Sequence, residues 1–147
     1  MAGRTRVRTA ATLARLLPIY ILFGVLKRVV SLERLVRWAW SPPLINPGRD
    51  QQARTVACII RLDRLGSRID RSCLQRSLLL YRELSRLGSL PTLCVGFRPD
   101  VGALKGHAWV EVGGRAVVDE AASLEAFDRA IAFGPGGTVL TPQAPSL

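Results

Sequence analysis

Residues 72–120 decide the fold, and they read SCLQRSLLLYRELSRLGSLPTLCVGFRPDVGALKGHAWVEVGGRAVVDE. A cysteine opens an apolar stretch, the single histidine of the chain lies in an alternating stretch, and two acids close the stretch after it. Cys73, His107 and Asp119 thus follow one another as a thiol nucleophile, its base and a carboxylate that orients the base. These three residues are the candidate catalytic residues.

The helix that carries the cysteine is predicted from its first residues. Ser72 suits the N-cap and Gln75 stands three residues later, which is the spacing of a capping box. Cys73 is then the first helical residue, where unpaired N–H groups and the helix dipole favour thiolate and can lower a cysteine pKa from ~8.5 into the range ~3.5–7.5. Leucines fill two adjoining faces, which predicts a buried helix, and Gly88 is placed to end it in the left-handed conformation.

Two strands and a glycine hairpin are predicted next. GHAWVEV alternates as a half-buried strand does, and RAVVDE after Gly113-Gly114 is its partner. A two-residue loop would set His107 opposite Glu120. A three-residue loop, with Gly114 in the left-handed position, would set it opposite Asp119. Turn chemistry alone leaves this choice open.

The same residues resemble a known family. CLxRSLLLYRxLxRxG, a strand ending in VGF, and KxHAWVEVxGRxVxD resemble the transglutaminase-like cysteine peptidases of lasso-peptide biosynthesis. These are the B-type leader peptidases, in the split form that lacks its own leader-binding domain. The resemblance is clear over about residues 50–120 and departs from the family only by an extra residue in the loop after Gly88. The positions that match are Cys73, Leu74, Arg76, Gly88, Gly96, His107, Ala108, Trp109 and Asp119.

The resemblance implies a function and partners. The function would be proteolytic removal of the leader from a ribosomally made precursor, with Cys73 as nucleophile, His107 as base and Asp119 as orienter. The partners would be the precursor, a separate small leader-binding protein and the lasso cyclase. The family position and the shorter reach of aspartate both favour Asp119, so we predict the three-residue loop and an Asp119–His107 hydrogen bond. We expect Trp109 to face away from His107 and to pack in the core.

Two other functions stay open. A transglutaminase-like site can pass the acyl group to an amine instead of water. A lone cysteine on an apolar helix can also be an ordinary core residue, which would make the chain a non-catalytic interaction module.

The first forty residues differ from the rest in charge. They hold eight Arg or Lys and one Glu, a net +7 of the chain's +10. The apolar run 16–26 contains Pro18 and is predicted to be too short to span a bilayer. We expect residues 4–40 either to contact a membrane surface or a partner, or to pack as helices on their own core. Nucleic acid is not an expected partner, because no stacking aromatics interleave with the cations.

The remaining residues predict the supporting elements. Cys58 and Cys94 are expected in the core, and free thiols suggest the cytoplasm. One histidine and no close cysteine pair predict neither a metal site nor a cofactor. Three further segments are expected: a helix capped by Asp50 and ended by Gly66, a loop over FRPDVGALKG, and a helix capped by Ser123. This last helix is expected to carry Leu124, Phe127 and Ile131, and the chain is expected to close in a brief strand and a loose tail.

Together these features predict an α+β fold. A buried cysteine-bearing helix packs on a small antiparallel sheet, as in papain and the transglutaminases, and helices precede it. We divide the chain into a basic, hydrophobic helical segment, residues 1–48, and a peptidase core, residues 49–147.

Overall fold

A computed structural model of the chain describes residues 2–44, 48–66 and 72–140. The segment SRID, parts of the proline-rich break and the final tail lie outside the described residues. The elements in chain order are α1 Ala2–Leu26, α2 Leu32–Ala39, α3 Arg49–Gly66, α4 Cys73–Arg86, β1 Pro91–Asp100, β2 Ala103–Val112, β3 Arg115–Ala116, α5 Ala121–Leu124, β4 Asp128–Phe133, a 3₁₀ turn at Pro135–Gly137, and β5 Val139–Leu140.

The five strands form one antiparallel sheet in the order β3-β2-β1-β4-β5. β1 and β2 pair along their whole length, from Pro91 opposite Val112 to Asp100 opposite Ala103. The predicted loop over FRPDVGALKG is therefore wrong. The turn is only Val101-Gly102, and Gly102 has the left-handed φ of 72° that so tight a connection uses.

The cysteine-bearing helix α4 lies at the centre of the core, packed on β1 and β2. Its fully buried apolar side chains are Leu78, Leu79, Leu80, Tyr81 and Leu84. The helix ends as predicted at Gly88, whose φ is 81°. The N–H of Gly88 donates to the carbonyl of Ser85, and the N–H of Ser89 donates to that of Leu84, which is the Schellman arrangement. The predicted α+β fold is confirmed.

Helix α1 is longer than the sequence suggested. It runs unbroken through Pro18 for 25 residues, so the length argument from the run 16–26 was wrong. By length and composition alone, residues 3–26 could cross a membrane. Yet Leu16, Tyr20 and Phe23 are buried in the same cluster as residues of α3, α4 and the sheet. This segment therefore packs on its own core, which was one of the expectations. The division of the chain at residue 48 stays a prediction.

Two smaller predictions need correction. Helix α3 ends at Gly66 as expected, but it begins at Arg49, so Asp50 lies in the first turn and is not the cap. A carboxylate there still faces the positive end of the helix. The helix predicted from Ser123 shrinks to the single turn α5, and Ile131 lies in strand β4. β4 forms because the free edge of β1 gains backbone hydrogen bonds from it, which outweighs a local helical pattern.

Candidate active site

Cys73 is the first residue of α4, as its sequence position predicted. The hydroxyl oxygen of Ser72 accepts a hydrogen bond from the N–H of Gln75 at 3.2 Å, which is one half of the capping box. The Gln75 side chain, however, does not serve the cap. Its amide nitrogen donates to the carbonyl of Tyr20 at 2.6 Å and thereby ties α1 to the start of the cysteine helix.

Strand β2 positions His107 beside this helix start. The imidazole ring stacks on Trp109 with 6.1 Å between ring centroids, and Phe127 lies 5.2 Å away. The prediction that Trp109 faces away was wrong, because residues two apart on a strand share a face. Its predicted place in the core is confirmed, since only 3% of the side chain is exposed.

Gly96 makes room for this stack. It pairs with His107 across the β1–β2 ladder. A Cβ at this position would come within 2.8 Å of the Asp128 carbonyl and 3.0 Å of the Trp109 ring. Any larger residue would therefore push Trp109 out of its place under His107.

The third residue, Asp119, reaches His107 by a route that the sequence did not predict. The hairpin loop has two residues: Val112 pairs with Arg115, and Gly113 and Gly114 have φ of 60° and 75°. The predicted three-residue loop is wrong. The predicted hydrogen bond is nevertheless present, with Nε2 of His107 3.0 Å from Oδ1 of Asp119.

The two-residue loop and the Asp119–His107 hydrogen bond are compatible because the pairing of β2 with β3 stops early. β3 ends at Ala116, and the last backbone bond of the hairpin runs from the N–H of Val117 to the carbonyl of Val110. Beyond it the chain bends. The alternation of faces no longer applies there, so Asp119 turns in while Glu120 is exposed at the start of α5.

Arg76 matched the family pattern, but sequence reasoning gave it no role in the site. Its Nη2 donates to both carboxylate oxygens of Asp119, at 3.0 and 3.1 Å. Nη1 lies 3.6 Å from the carboxylate of Asp63, which also accepts from the hydroxyl of Tyr20 at 3.3 Å. The available signal was spacing: three residues after Cys73 on a helix, Arg76 lies on the same side.

The charges of the site reinforce one another. The hydrogen bond to Asp119, followed by that to Cys73, raises the pKa of His107 to about 9, although burial opposes the rise. Burial raises the pKa of the Asp119 carboxyl, but the hydrogen bond from His107 and the charge of Arg76 outweigh it and leave that pKa below its ordinary value. His107 is therefore an imidazolium at neutral pH.

The pKa of the Cys73 thiol is lowered as well. Burial is the largest single influence and raises it, yet hydrogen bonds from His107 and from the N–H of Ala108 and the charges of His107 and Arg76 together lower it. The Ala108 N–H lies 3.4 Å from the sulfur. Since Nε2 faces Asp119, the other ring nitrogen of His107, Nδ1, is the one left for Cys73. The arrangement can hold a thiolate beside a proton donor, which is what nucleophilic attack on a carbonyl requires.

Cys58 lies on α3, and Cys94 lies on β1 opposite Trp109. Both are buried, as predicted. Burial raises the pKa of each thiol, that of Cys94 to about 12.

Comparison with known proteins points to one superfamily. A family model described as the transglutaminase-like superfamily matches residues 13–132, a range that contains Cys73, His107 and Asp119. Members are typically cysteine-dependent enzymes, which suggests cysteine peptidase or acyltransferase activity. Neither the curated proteins nor the solved structures gave a match to this chain.

Proposed function

The chain belongs to the transglutaminase-like superfamily, and we propose that it is a cysteine peptidase that removes the leader from a ribosomally made lasso-peptide precursor. The observation that carries the proposal is one connected series of contacts, in which Arg76 hydrogen-bonds Asp119, Asp119 hydrogen-bonds His107, and the N–H of Ala108, the residue after His107, donates to the Cys73 sulfur. Each contact favours the charged form of the group that it reaches.

The proposed mechanism uses this charge order. The Cys73 thiolate attacks the scissile carbonyl, and the N–H of Cys73 is one donor to the oxyanion. His107 gives its proton to the leaving amine, so the amide C–N bond breaks and a thioester remains. Water, deprotonated by His107, then attacks the thioester and releases the carboxylate product and the thiolate. Asp119 keeps the ring oriented through both steps.

The residues that carry the sequence resemblance support leader removal in particular. Arg76 contacts Asp119, and Trp109 stacks under His107 where Gly96 leaves space. Ala108 donates its N–H to the Cys73 sulfur, and its carbonyl accepts from the hydroxyl of Ser77 at 3.0 Å. Residues shared with the lasso leader peptidases thus surround the candidate triad.

The partners are part of the proposal. We propose that a separate small leader-binding protein presents the precursor, that the lasso cyclase consumes the released core, and that the reaction takes place in the cytoplasm. Because the leader-binding protein would raise the local concentration of substrate, cleavage by this chain alone should be slow and should accelerate when that protein is added.

Mass spectrometry of a candidate precursor tests the proposal. The precursor is incubated with this chain, with and without the proposed leader-binding protein, and Cys73→Ala and Cys94→Ala serve as matched variants. Hydrolysis yields free leader and core whose masses sum to the precursor plus one water. An amine-linked product would replace the peptidase by an acyltransferase, and an unchanged precursor in every mixture would refute leader removal. Equal rates with and without the partner at sub-saturating precursor would refute the split arrangement.

A further inference from the structure

The side of α1 that faces away from the core has no polar residue along most of its length. Among residues 10–26, every exposed side chain is apolar. The first of them are alanines, and those that follow are Leu17, Pro18, Ile21, Leu22 and Val25. We call this surface the outer face of α1. A helix surface exposed to water would normally carry charged or polar residues here.

The opposite side of α1 is fixed to the protein. Leu16, Tyr20 and Phe23 are buried in the main core. Arg15 pairs with the buried Glu83 through two hydrogen bonds, at 3.1 and 2.7 Å. This helix therefore cannot cross a bilayer without leaving the core. A bilayer or a partner can contact the outer face only along the side of the helix.

Positive charge marks both ends of the outer face. Arg4, Arg6 and Arg8 are exposed on the turns before it, and Arg28 is exposed just after it. No acidic residue occurs between residues 1 and 32. Negatively charged headgroups complement this distribution, because cations beside an apolar helix face attract an anionic surface while the face enters the apolar layer beneath.

The apolar surface also continues beyond the helix. An open groove of about 740 Å³ lies between α1 and α3 and is lined by Leu17, Ile21, Leu62 and Leu65, together with Gln75. Leu65 on α3 is itself exposed. The outer face and this groove together form one continuous apolar surface rather than a single ridge.

We infer that the outer face of α1 lies in the surface layer of an anionic phospholipid bilayer and holds the protein there as a peripheral, in-plane helix. A bilayer fits better than a protein partner because the charges are of one sign, lie at both ends and leave the whole centre apolar. The inference does not depend on the peptidase function, since binding to lipid needs no catalysis.

Flotation of the full chain with vesicles tests the inference. Vesicles of phosphatidylcholine are compared with vesicles that also contain phosphatidylglycerol. We expect the wild-type chain to float with the anionic vesicles and to be released by high salt. A double variant, Ile21→Gln with Val25→Gln, should reduce binding at least tenfold. These side chains are 56% and 58% exposed, so the fold should tolerate the change.

A matched control separates the outer face from general hydrophobicity. Val101→Gln with Leu104→Gln removes two apolar side chains that are 101% and 73% exposed at the far hairpin, and it should bind vesicles as the wild type does. Arg4→Gln with Arg6→Gln should weaken binding to anionic vesicles by about fivefold per charge removed. Equal melting temperatures confirm that the variants are folded.

Three outcomes would overturn the inference. In the first, the wild-type chain stays with the aqueous fraction at low salt. In the second, the outer-face variant and the hairpin control variant lose binding equally. If the outer-face variant floats normally but loses stimulation by the leader-binding protein, the surface is a protein interface and the membrane inference is wrong.

Discussion

Cys73 and Cys94 share a side chain and lie in opposite surroundings. Cys73 opens a helix, receives hydrogen bonds from His107 and Ala108, and has a lowered thiol pKa. Cys94 lies in the middle strand of the sheet, where burial and then the charge of Glu111 raise its pKa to about 12. Burial acts on both thiols in the same direction, so the difference comes from the donors and cations around Cys73.

The largest expected effect follows from replacing each cysteine in turn. Cys73→Ala should abolish precursor cleavage and leave the melting temperature nearly unchanged, because the thiol at the helix start contributes little packing. Cys94→Ala should retain cleavage and melt at a lower temperature, since it leaves a small cavity under β1. Cleavage and thermal unfolding of both variants measure this. Full activity in Cys73→Ala would end the cysteine-enzyme assignment.

Alkylation compares the two thiols without needing a substrate. At neutral pH iodoacetamide should modify Cys73 within minutes, while Cys94 stays unmodified until the protein unfolds, because the thiolate is the reactive form and burial keeps Cys94 as the neutral thiol. Peptide mapping by mass spectrometry locates the label. Similar labelling of both cysteines in the folded chain would contradict the assigned charges.

The carboxylate pair gives the next largest effect. Asp119→Asn should lower turnover by orders of magnitude, because the amide neither holds the imidazolium nor fixes the ring. Glu120→Gln, at an exposed neighbouring position, is the matched control and should change turnover less than about twofold. Initial rates at saturating precursor decide between them, and a reversed pattern would assign the role to Glu120.

The sequence predicted the half of the site whose structure is local. The cap at Ser72, the leucine pattern of α4 and the stop at Gly88 are all properties of neighbouring residues, and each is present. The hairpin register failed because it assumed that β3 continues to Asp119, whereas pairing stops at Ala116. The side chains that receive Asp119 there, Arg76 and His107, are distant in sequence.

The same contrast explains the other errors. The spacing of Leu124, Phe127 and Ile131 is helical, yet the unpaired edge of β1 makes Ile131 part of a strand. Arg76 matched the sequence pattern, but its role needed the position of Asp119. Tertiary contacts thus decided both cases, and the local sequence pattern does not show those contacts.

Arg76 itself should have a smaller effect than Asp119. Arg76→Gln should lower turnover roughly 10- to 100-fold, the range expected for one lost charged hydrogen bond. It should also raise the pKa of Asp119 and of Cys73, because the charge of Arg76 lowers both, and so move the acidic limit of activity to higher pH. Arg82→Gln is the control, because Arg82 on the same helix contacts the carbonyl of Ala39 instead. An unchanged pH profile in Arg76→Gln would mean that Arg76 only supports the fold.

The smallest expected effect is on stability as a function of pH. The pKa of His107 is about 9 in the folded chain and ~6.5 when unfolded, so its contribution is complete below pH ~6.5 and is lost as pH rises to about 9. Cys73 acts in the opposite sense. Its folded pKa lies below the unfolded value, so its contribution is lost as pH falls through the folded pKa.

In the wild type these two contributions oppose each other above neutral pH, so the gain from Cys73 should offset part of the loss from His107 in the free energy of unfolding. Cys73→Ala removes one of them, and its stability should fall as pH rises above ~6.5. Adding Asp119→Asn removes the main cause of the raised His107 pKa, and the slope should disappear. Denaturant unfolding at several pH values measures all three chains. If the free energy of unfolding of the single variant Cys73→Ala does not change with pH, Asp119 does not hold His107 in its charged form. The difference in thiol pKa between Cys73 and Cys94 would then no longer be explained by a charged His107.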